Sequence, residues 1–156
     1  MISAGRILSI FRTKGGSGGS TWTADELPPP QKKLLELELE GDRLLVARVQ
    51  SKNNWFALGS SQLISSVEGR VRQTRLADIV AIATQARGPM QLLEVKRSGG
   101  PLDLKLGDGS LLTVWSDGGK PFVGLLNVFN YIVQMNRGWR SGRALLHRPE
   151  RGSRRG

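Results

Sequence analysis

The residue types that most often carry out chemistry are sparse in this sequence. The chain has no cysteine, which excludes disulfides, thiolate zinc sites and cysteine nucleophiles. Its single histidine, His147, lies in an arginine-rich stretch, with no second histidine or carboxylate cluster to complete a zinc site. No nucleophile-elbow motif is present either. We therefore expect a protein that is not an enzyme and that uses no metal and no cofactor.

Two other patterns could suggest chemistry. Glu36, Glu38 and Glu40 alternate with leucines, and on a strand they would share one face, which we interpret as a solvated face. Neither Gly107-Asp108-Gly109 nor Gly118-Gly119-Lys120 completes a phosphate-binding loop. We interpret the first as a hairpin turn and the second as the entry to a helix.

Basic residues are concentrated at the two ends of the chain. The formal net charge is +10, and residues 137–156 contribute seven arginines against one acid, Glu150. Residues 1–33 contribute five basic and two acidic residues, whereas residues 34–136 are almost neutral, with eleven basic and ten acidic residues. A polyanion would therefore meet the ends of the chain before it met the central part.

The arginine tail, residues 137–156, is the first candidate for a partner-binding site. Arginine forks pair with phosphate, and an aromatic residue beside them can stack on bases or lie at a lipid interface. A solubilising tail is the open alternative, and Ala144-Leu145-Leu146 could extend a short helix that docks on a partner. The candidate residues here are Arg137, Trp139, Arg140, Arg143 and Arg148.

A second basic group lies on a predicted strand. Arg70 and Arg72 share one face, and Arg75 would join them if the strand bends locally. The three residues are candidates for contact with an anion. The alternative is that they only protect an exposed sheet edge, where charges discourage pairing with other strands.

The chain divides by composition into three parts. We predict a flexible N-terminal segment and linker over residues 1–33, because Gly15–Ser20 has linker composition and Pro28–Pro30 forms a polyproline spacer. Residues 34–136 then form a β-rich domain, and residues 137–156 form the arginine tail. No stretch approaches the roughly 20 apolar residues of a membrane-spanning helix. We expect a soluble, cytoplasmic protein, or one that is peripheral at a membrane.

The domain is predicted to begin with a β-hairpin. Leu35, Leu37 and Leu39 alternate with glutamates, and Gly41-Asp42 has the composition of a two-residue turn. This register places Leu39 opposite Leu44.

Further strands are indicated by alternating or β-branched runs that are separated by turn residues. About seven antiparallel strands are predicted, which implies a mainly β sandwich or barrel. After the first hairpin, the runs from which the remaining strands are drawn are Trp55–Leu58, Gln62–Ser66, Val71–Arg75, Leu76–Ile82, Met90–Lys96, Leu102–Leu106 and Leu111–Trp115.

One C-terminal helix follows these strands. Pro121 suits a first helical turn, the apolar spacing from Phe122 is helical, and the helix should stop near Gly138. Its other side carries Tyr131 and Met135, so it is apolar nearly all round. Such a helix is either buried on two sides or covered by a partner, which makes Tyr131 and Met135 candidate partner-binding residues.

Two segments resemble bacterial PH-like and GRAM-type domains of the pleckstrin-homology-like superfold. Trp55–Ile64 is similar to their aromatic strand, turn and following strand, although Gly59-Ser60 replaces Thr-Asp and Gln62 replaces an arginine. Leu76–Ile82 resembles the segment that anchors their next strand. The resemblance implies a PH-like sandwich or barrel with a C-terminal helix over residues 34–136. Another small β-barrel or an α+β sandwich is the alternative.

The resemblance also bears on function. Family members bind phosphoinositides through basic residues around the first hairpin loop, here predicted as Glu40–Arg43, which has two acids and one arginine. Many PH-like domains bind proteins instead. Our leading hypothesis is a non-catalytic interaction module that joins a protein assembly through its apolar C-terminal helix and arginine tail. The alternatives are a nucleic-acid- or ribosome-associated protein and peripheral binding to an anionic membrane.

Overall fold

The computed structural model describes residues 1–83 and 89–146, of which residues 89–92 and 139–146 are described by their backbone. Within this part of the chain, eight strands and four α-helices are present. The strands are β1 Thr21–Thr23, β2 Leu44–Ser51, β3 Asn54–Gly59, β4 Gln62–Val67, β5 Arg70–Arg75, β6 Ile79–Ile82, β7 Gly100–Leu106 and β8 Leu111–Ser116. The helices are α1 Ala4–Lys14, α2 Pro29–Glu38, α3 Pro89–Ser98 and α4 Lys120–Leu146.

The strands form two antiparallel sheets. The first sheet has the order β1-β2-β3-β4-β5, and the second has the order β6-β7-β8. Tight turns connect β2 to β5 in sequence, as at Glu68-Gly69, where both residues have positive φ (52° and 78°) and close the β4–β5 hairpin. A short 3₁₀ turn, Leu76–Asp78, joins the two sheets.

The first sheet is covered on both faces. Its inner face carries Val46, Phe56 and Leu63, which pack in the main core with the second sheet, α1 and α4. Its outer face carries Ala57 and Ile64, which pack beneath α2 in a smaller core. Because successive residues of a strand point to opposite faces, one set of strands supplies both cores.

The predicted fold class is confirmed. The protein is mainly antiparallel β, its two sheets are arranged like a sandwich, and the C-terminal helix α4 follows the last strand. The sheets do not close into a barrel. Four predicted strands are present with small shifts of their ends, namely β3, β4, β5 and β8. Two more predicted runs correspond to β6 and β7.

The predicted first hairpin is wrong. Residues 29–38 form helix α2, and Leu44 pairs with Gly59 rather than with Leu39. Leu35 and Leu39 are four residues apart and are both buried, so the leucine-rich run satisfies a helical period as well as a strand period. Pro29 occupies the first turn of the helix, where its missing N–H costs nothing.

Two other elements differ from the sequence prediction. Residues 89–98, predicted to contain a strand over Met90–Lys96, form helix α3. Helix α4 does not stop near Gly138 but continues to Leu146. No proline interrupts the chain between Pro121 and Leu146, and Ala144-Leu145-Leu146 are good helix formers.

The N-terminal segment, which we predicted to be flexible, is packed against the domain. Ile7 and Phe11 of α1 are fully buried against α4. Two glycines allow α1 and α4 to approach each other closely. A Cβ atom at Gly15 would collide with the Lys120 carbonyl oxygen, and one at Gly124 would collide with the Phe11 ring.

A partly buried carboxylate fastens the glycine-rich stretch. Asp117 accepts hydrogen bonds from the Ser20 N–H (2.8 Å) and the Thr21 hydroxyl (2.7 Å). Its other carboxylate oxygen lies 3.2 Å from Nε of Arg48, whose side chain is 3% exposed. Linker composition therefore does not make this stretch a free linker.

None of the described helices is long and apolar enough to cross a membrane.

Candidate functional site

The α1–α4 groove is an apolar cavity of about 540 Å³ at one end of the main core. The start of α1, the β3–β4 turn, the 3₁₀ turn and the second half of α4 meet there. Its lining residues are Met1, Ile2, Ala4, Ser60, Ser61, Leu76, Ala77, Met135 and Asn136.

The floor of the groove is fixed by a buried amide. Asn136, which is 7% exposed, donates hydrogen bonds to the carbonyl oxygens of Leu76 (2.8 Å) and Ile79 (2.7 Å). The Leu76 N–H in turn donates to the Ser61 carbonyl oxygen at 2.9 Å. Asn136 therefore joins α4 to the 3₁₀ turn, and Leu76 joins that turn to the β3–β4 turn.

The β3–β4 turn is held by one carboxylate. Asp42 accepts hydrogen bonds from the Ser60 hydroxyl and from the backbone N–H groups of Ser61 (3.0 Å) and Gln62 (3.2 Å). Burial acts to raise the pKa of the Asp42 carboxyl, but these hydrogen bonds outweigh burial and hold that pKa below its usual value. Gly59 is required here, because a Cβ atom would collide with the Asp42 carboxylate.

Helix α1 forms the remaining wall. Ser3 caps the helix by accepting a hydrogen bond from the Arg6 N–H at 3.3 Å. The Ser3 N–H donates to the Tyr131 hydroxyl oxygen at 3.1 Å, which ties the start of α1 to α4. Ile2 and Ala4 are thereby held beside Met135 at the edge of the groove.

The lining of the groove is mostly apolar. The lining contains no acidic or basic side chain and no histidine, and its Ser60 hydroxyl is already bonded to Asp42. Within the described residues, no group of His, Cys, Asp and Glu side chains could hold a metal ion. A concave, mostly apolar surface with few polar groups can accept an apolar side chain or ligand group.

Two of the predicted partner-binding residues lie in or next to the groove. Met135 lines it, and Tyr131 positions its α1 wall. Arg137 is exposed one residue beyond Asn136. Trp139, Arg140 and Arg143 follow in the same helix, whereas Arg148 and His147 lie outside the described residues.

The three strand arginines have different surroundings. Arg72 donates to the Leu111 carbonyl oxygen, and Arg75 forms an ion pair with Asp78 at 3.2 Å. No hydrogen bond or ion pair of the exposed Arg70 side chain is present in the described part of the chain. Anion contact at Arg70, Arg72 and Arg75 remains a prediction.

Comparisons with known proteins do not link this chain to a family. No family model, curated protein or solved structure matches it. The site therefore has to be interpreted from its own residues.

Sequence reasoning missed most of the groove. Ile2, Ser61 and Ala77 were not predicted to lie in a site, because they come from distant parts of the chain. One signal was available: Asn136 is the polar member of an otherwise apolar helical series. A buried amide must find hydrogen-bond partners, and such partners often lie where two elements meet.

Proposed function

We propose that this protein is a cytoplasmic, non-catalytic interaction module that joins a protein assembly. The partner contributes an apolar side chain to the α1–α4 groove and also contacts the end of α4. The observation that carries this proposal is the apolar cavity of about 540 Å³ beside Met135, whose lining lacks titratable side chains. A groove of this kind is what a partner's apolar anchor fills at a protein interface.

The structure changes which part of the apolar helix is available to the partner. Phe122, Leu125 and Phe129 of α4 are buried within the domain, and α1 covers another side of the helix. Met135 is half-buried at the groove, and Arg137 and Gly138 beyond it are exposed. The partner-binding part of α4 is therefore its C-terminal part, which includes residues 137–146 of the arginine tail.

A PH-like fold is part of the same proposal. Strands β2–β5 lie in one sheet, β6–β8 lie in the other, and α4 follows them, which supports the layout that the resemblance implies. The first hairpin of that layout would be β2–β3, whose turn contains one basic residue, Lys52. Lipid recognition through a basic first loop gains no support from this turn. Since fold does not fix function, the groove carries the functional argument.

Site-specific photo-cross-linking tests the proposal. A photoreactive amino acid replaces Ala77, which is exposed in the groove, and in a matched control it replaces Lys105, which is exposed on β7. We expect one discrete protein adduct from position 77 in native cells, and its loss when Met135→Lys is added. Equal adducts from both positions, or an adduct that Met135→Lys does not change, would refute the groove as the binding site.

The arginine tail supports one alternative function. Its seven arginines could make nonspecific phosphate contacts with RNA, as a ribosome-associated protein would. Such binding must weaken steeply between low and moderate salt and must be lost when residues 137–156 are removed. RNA binding that survives both changes would exclude this function.

Peripheral binding to an anionic membrane is the other alternative. Ile7 and Phe11 of α1 are buried in the domain, so a membrane would be contacted chiefly by basic residues. Co-sedimentation with anionic vesicles at low salt tests this directly, and its absence would exclude the membrane.

A further inference from the structure

Helix α2 presents two leucines to solvent. Leu34 and Leu37 are 64% and 67% exposed, whereas Leu35 and Leu39 are buried against the outer face of the first sheet. Residues three apart on a helix are neighbours on its surface, so the exposed leucines form one patch. Lys33 and Glu38 are exposed at the two ends of this patch, one on each flank, about 140° apart around the helix axis.

We propose that α2 binds α2 of a second copy of this chain in an antiparallel arrangement about a twofold axis. The axis passes between Leu34 and Leu37, so that Leu34 of each copy contacts Leu37 of the other. The same operation brings Lys33 of each copy to the level of Glu38 of the other, where the two long side chains can meet across the end of the leucine patch. The α2 patch, defined as Lys33, Leu34, Leu37 and Glu38, is thus complementary to itself, as a twofold interface requires.

The order of the charges along α2 favours a second copy of the chain as the binding partner. The first half of the helix carries Lys32 and Lys33, and its second half carries Glu36 and Glu38. Lys32 pairs with Glu36 within the helix at 3.9 Å. In the described part of the chain, Lys33 and Glu38 form no ion pair, so both charges remain for a second copy. A uniformly acidic or basic partner would be repelled by one half of the helix, and a parallel pair would place like charges together.

The size of the patch sets the expected affinity. Helix α2 has 10 residues and is about 15 Å long. A pair of such helices buries far less than the roughly 800 Å² per partner of a stable interface. The dimer is therefore weak, with a dissociation constant of about 100 μM.

Sedimentation velocity of the full chain tests this dimer. The nuclease-treated protein is measured from about 10 μM to about 1 mM, which brackets the expected dissociation constant. We expect a reversible monomer–dimer equilibrium. Lys33→Glu and Glu38→Lys should each weaken it about tenfold, because each reversal changes two symmetric contacts. The double variant Lys33→Glu/Glu38→Lys should restore the wild-type affinity.

Two further variants complete the design. Leu34→Ser/Leu37→Ser should abolish the dimer, and Lys105→Glu, a charge reversal on the exposed part of β7, should leave it unchanged. Circular dichroism checks that each variant is folded. A chain that stays monomeric over the whole range would overturn the proposal. A dimer that is insensitive to the single reversals, or that the double reversal does not restore, would also overturn it.

Discussion

Helices α2 and α4 are both rich in apolar residues, but they are packed differently. Helix α4 lies between α1 and the second sheet, and its Leu125 and Phe129 are fully buried. Helix α2 is covered on one side only and leaves Leu34 and Leu37 in solvent. An apolar sequence therefore does not by itself indicate a surface for another protein, because other parts of the same chain can cover it.

This difference in packing leaves two separate apolar surfaces uncovered. On α4, the intramolecular cover ends at the α1–α4 groove, where Met135 is half-buried. On α2, the uncovered residues lie at the middle of the helix, between charges of opposite sign. We assign a heterologous partner to the first surface and a second copy of the chain to the second. The two surfaces share no residue, so each can be altered separately.

The largest expected effect comes from weakening the contact between α1 and α4. Phe11→Ala should lower the free energy of unfolding by about 3–5 kcal/mol, because it removes a fully buried ring that packs on Gly124. Urea unfolding measures this change. Leu37→Ala is the matched control on α2, and because that side chain is 67% exposed, it should change stability by less than about 0.5 kcal/mol.

Similar losses in the two variants would contradict the comparison. A small effect of Phe11→Ala would mean that α1 is not an integral part of the domain. A large effect of Leu37→Ala would mean that the exposed side of α2 is already covered within one chain.

The next effect concerns the attachment of α4 to the 3₁₀ turn. Asn136→Ala should lower the free energy of unfolding by about 1–3 kcal/mol, because it removes the side-chain donor shared by the carbonyl groups of Leu76 and Ile79, and leaves Leu76 with only the Ile79 N–H. Gln134→Ala, an exposed position two residues earlier, is the control and should be nearly neutral. Chemical denaturation of the two variants side by side measures the difference. Equal stabilities would show that the amide does not hold the groove floor.

The smallest effect concerns the end of α2. Asp42 follows α2 and anchors the β3–β4 turn, and its pKa in the folded protein is below the usual value of 3.8. An ionised Asp42 therefore stabilises the fold above that value, and the contribution is lost as the pH falls below it. Asp42→Asn should lower the free energy of unfolding at pH 7 by about 1 kcal/mol.

The pH dependence distinguishes this role from a simple packing effect. The stability difference between wild type and Asp42→Asn should shrink as the pH is lowered below 3.8. Thermal unfolding at a series of pH values measures it. A difference that stays constant down to pH 2.5, about 1.3 units below the usual pKa of the group, would show that ionisation of Asp42 is not involved.

The sequence predicted those elements in which the local pattern allows one interpretation. Trp55–Leu58 and Gln62–Ser66 are short, bounded by turn residues and rich in strand formers, and both lie in strands. Residues 34–39 allow two interpretations. Their leucines recur every two residues, as in a strand, and Leu35 and Leu39 are four residues apart, as on one face of a helix. Only the packing of Leu35 and Leu39 against the first sheet decides between strand and helix.

The N-terminal segment and the groove could not be predicted for a different reason. Gly15–Ser20 has the composition of a linker, and its role depends on Asp117, about a hundred residues away. The groove likewise combines Ile2, Ala77 and Met135, which are brought together only by the fold. Long-range contacts of this kind leave no periodic signal in the sequence.

The central claim is that the α1–α4 groove binds a partner's apolar anchor. The most direct test is the affinity of the full chain for the partner cross-linked at position 77, compared among wild type, Met135→Lys and Gln134→Lys. We predict that Met135→Lys weakens binding about 100-fold, because it brings a charge into the apolar contact, and that Gln134→Lys changes it less than about threefold. Equal affinities of wild type and Met135→Lys would contradict the claim.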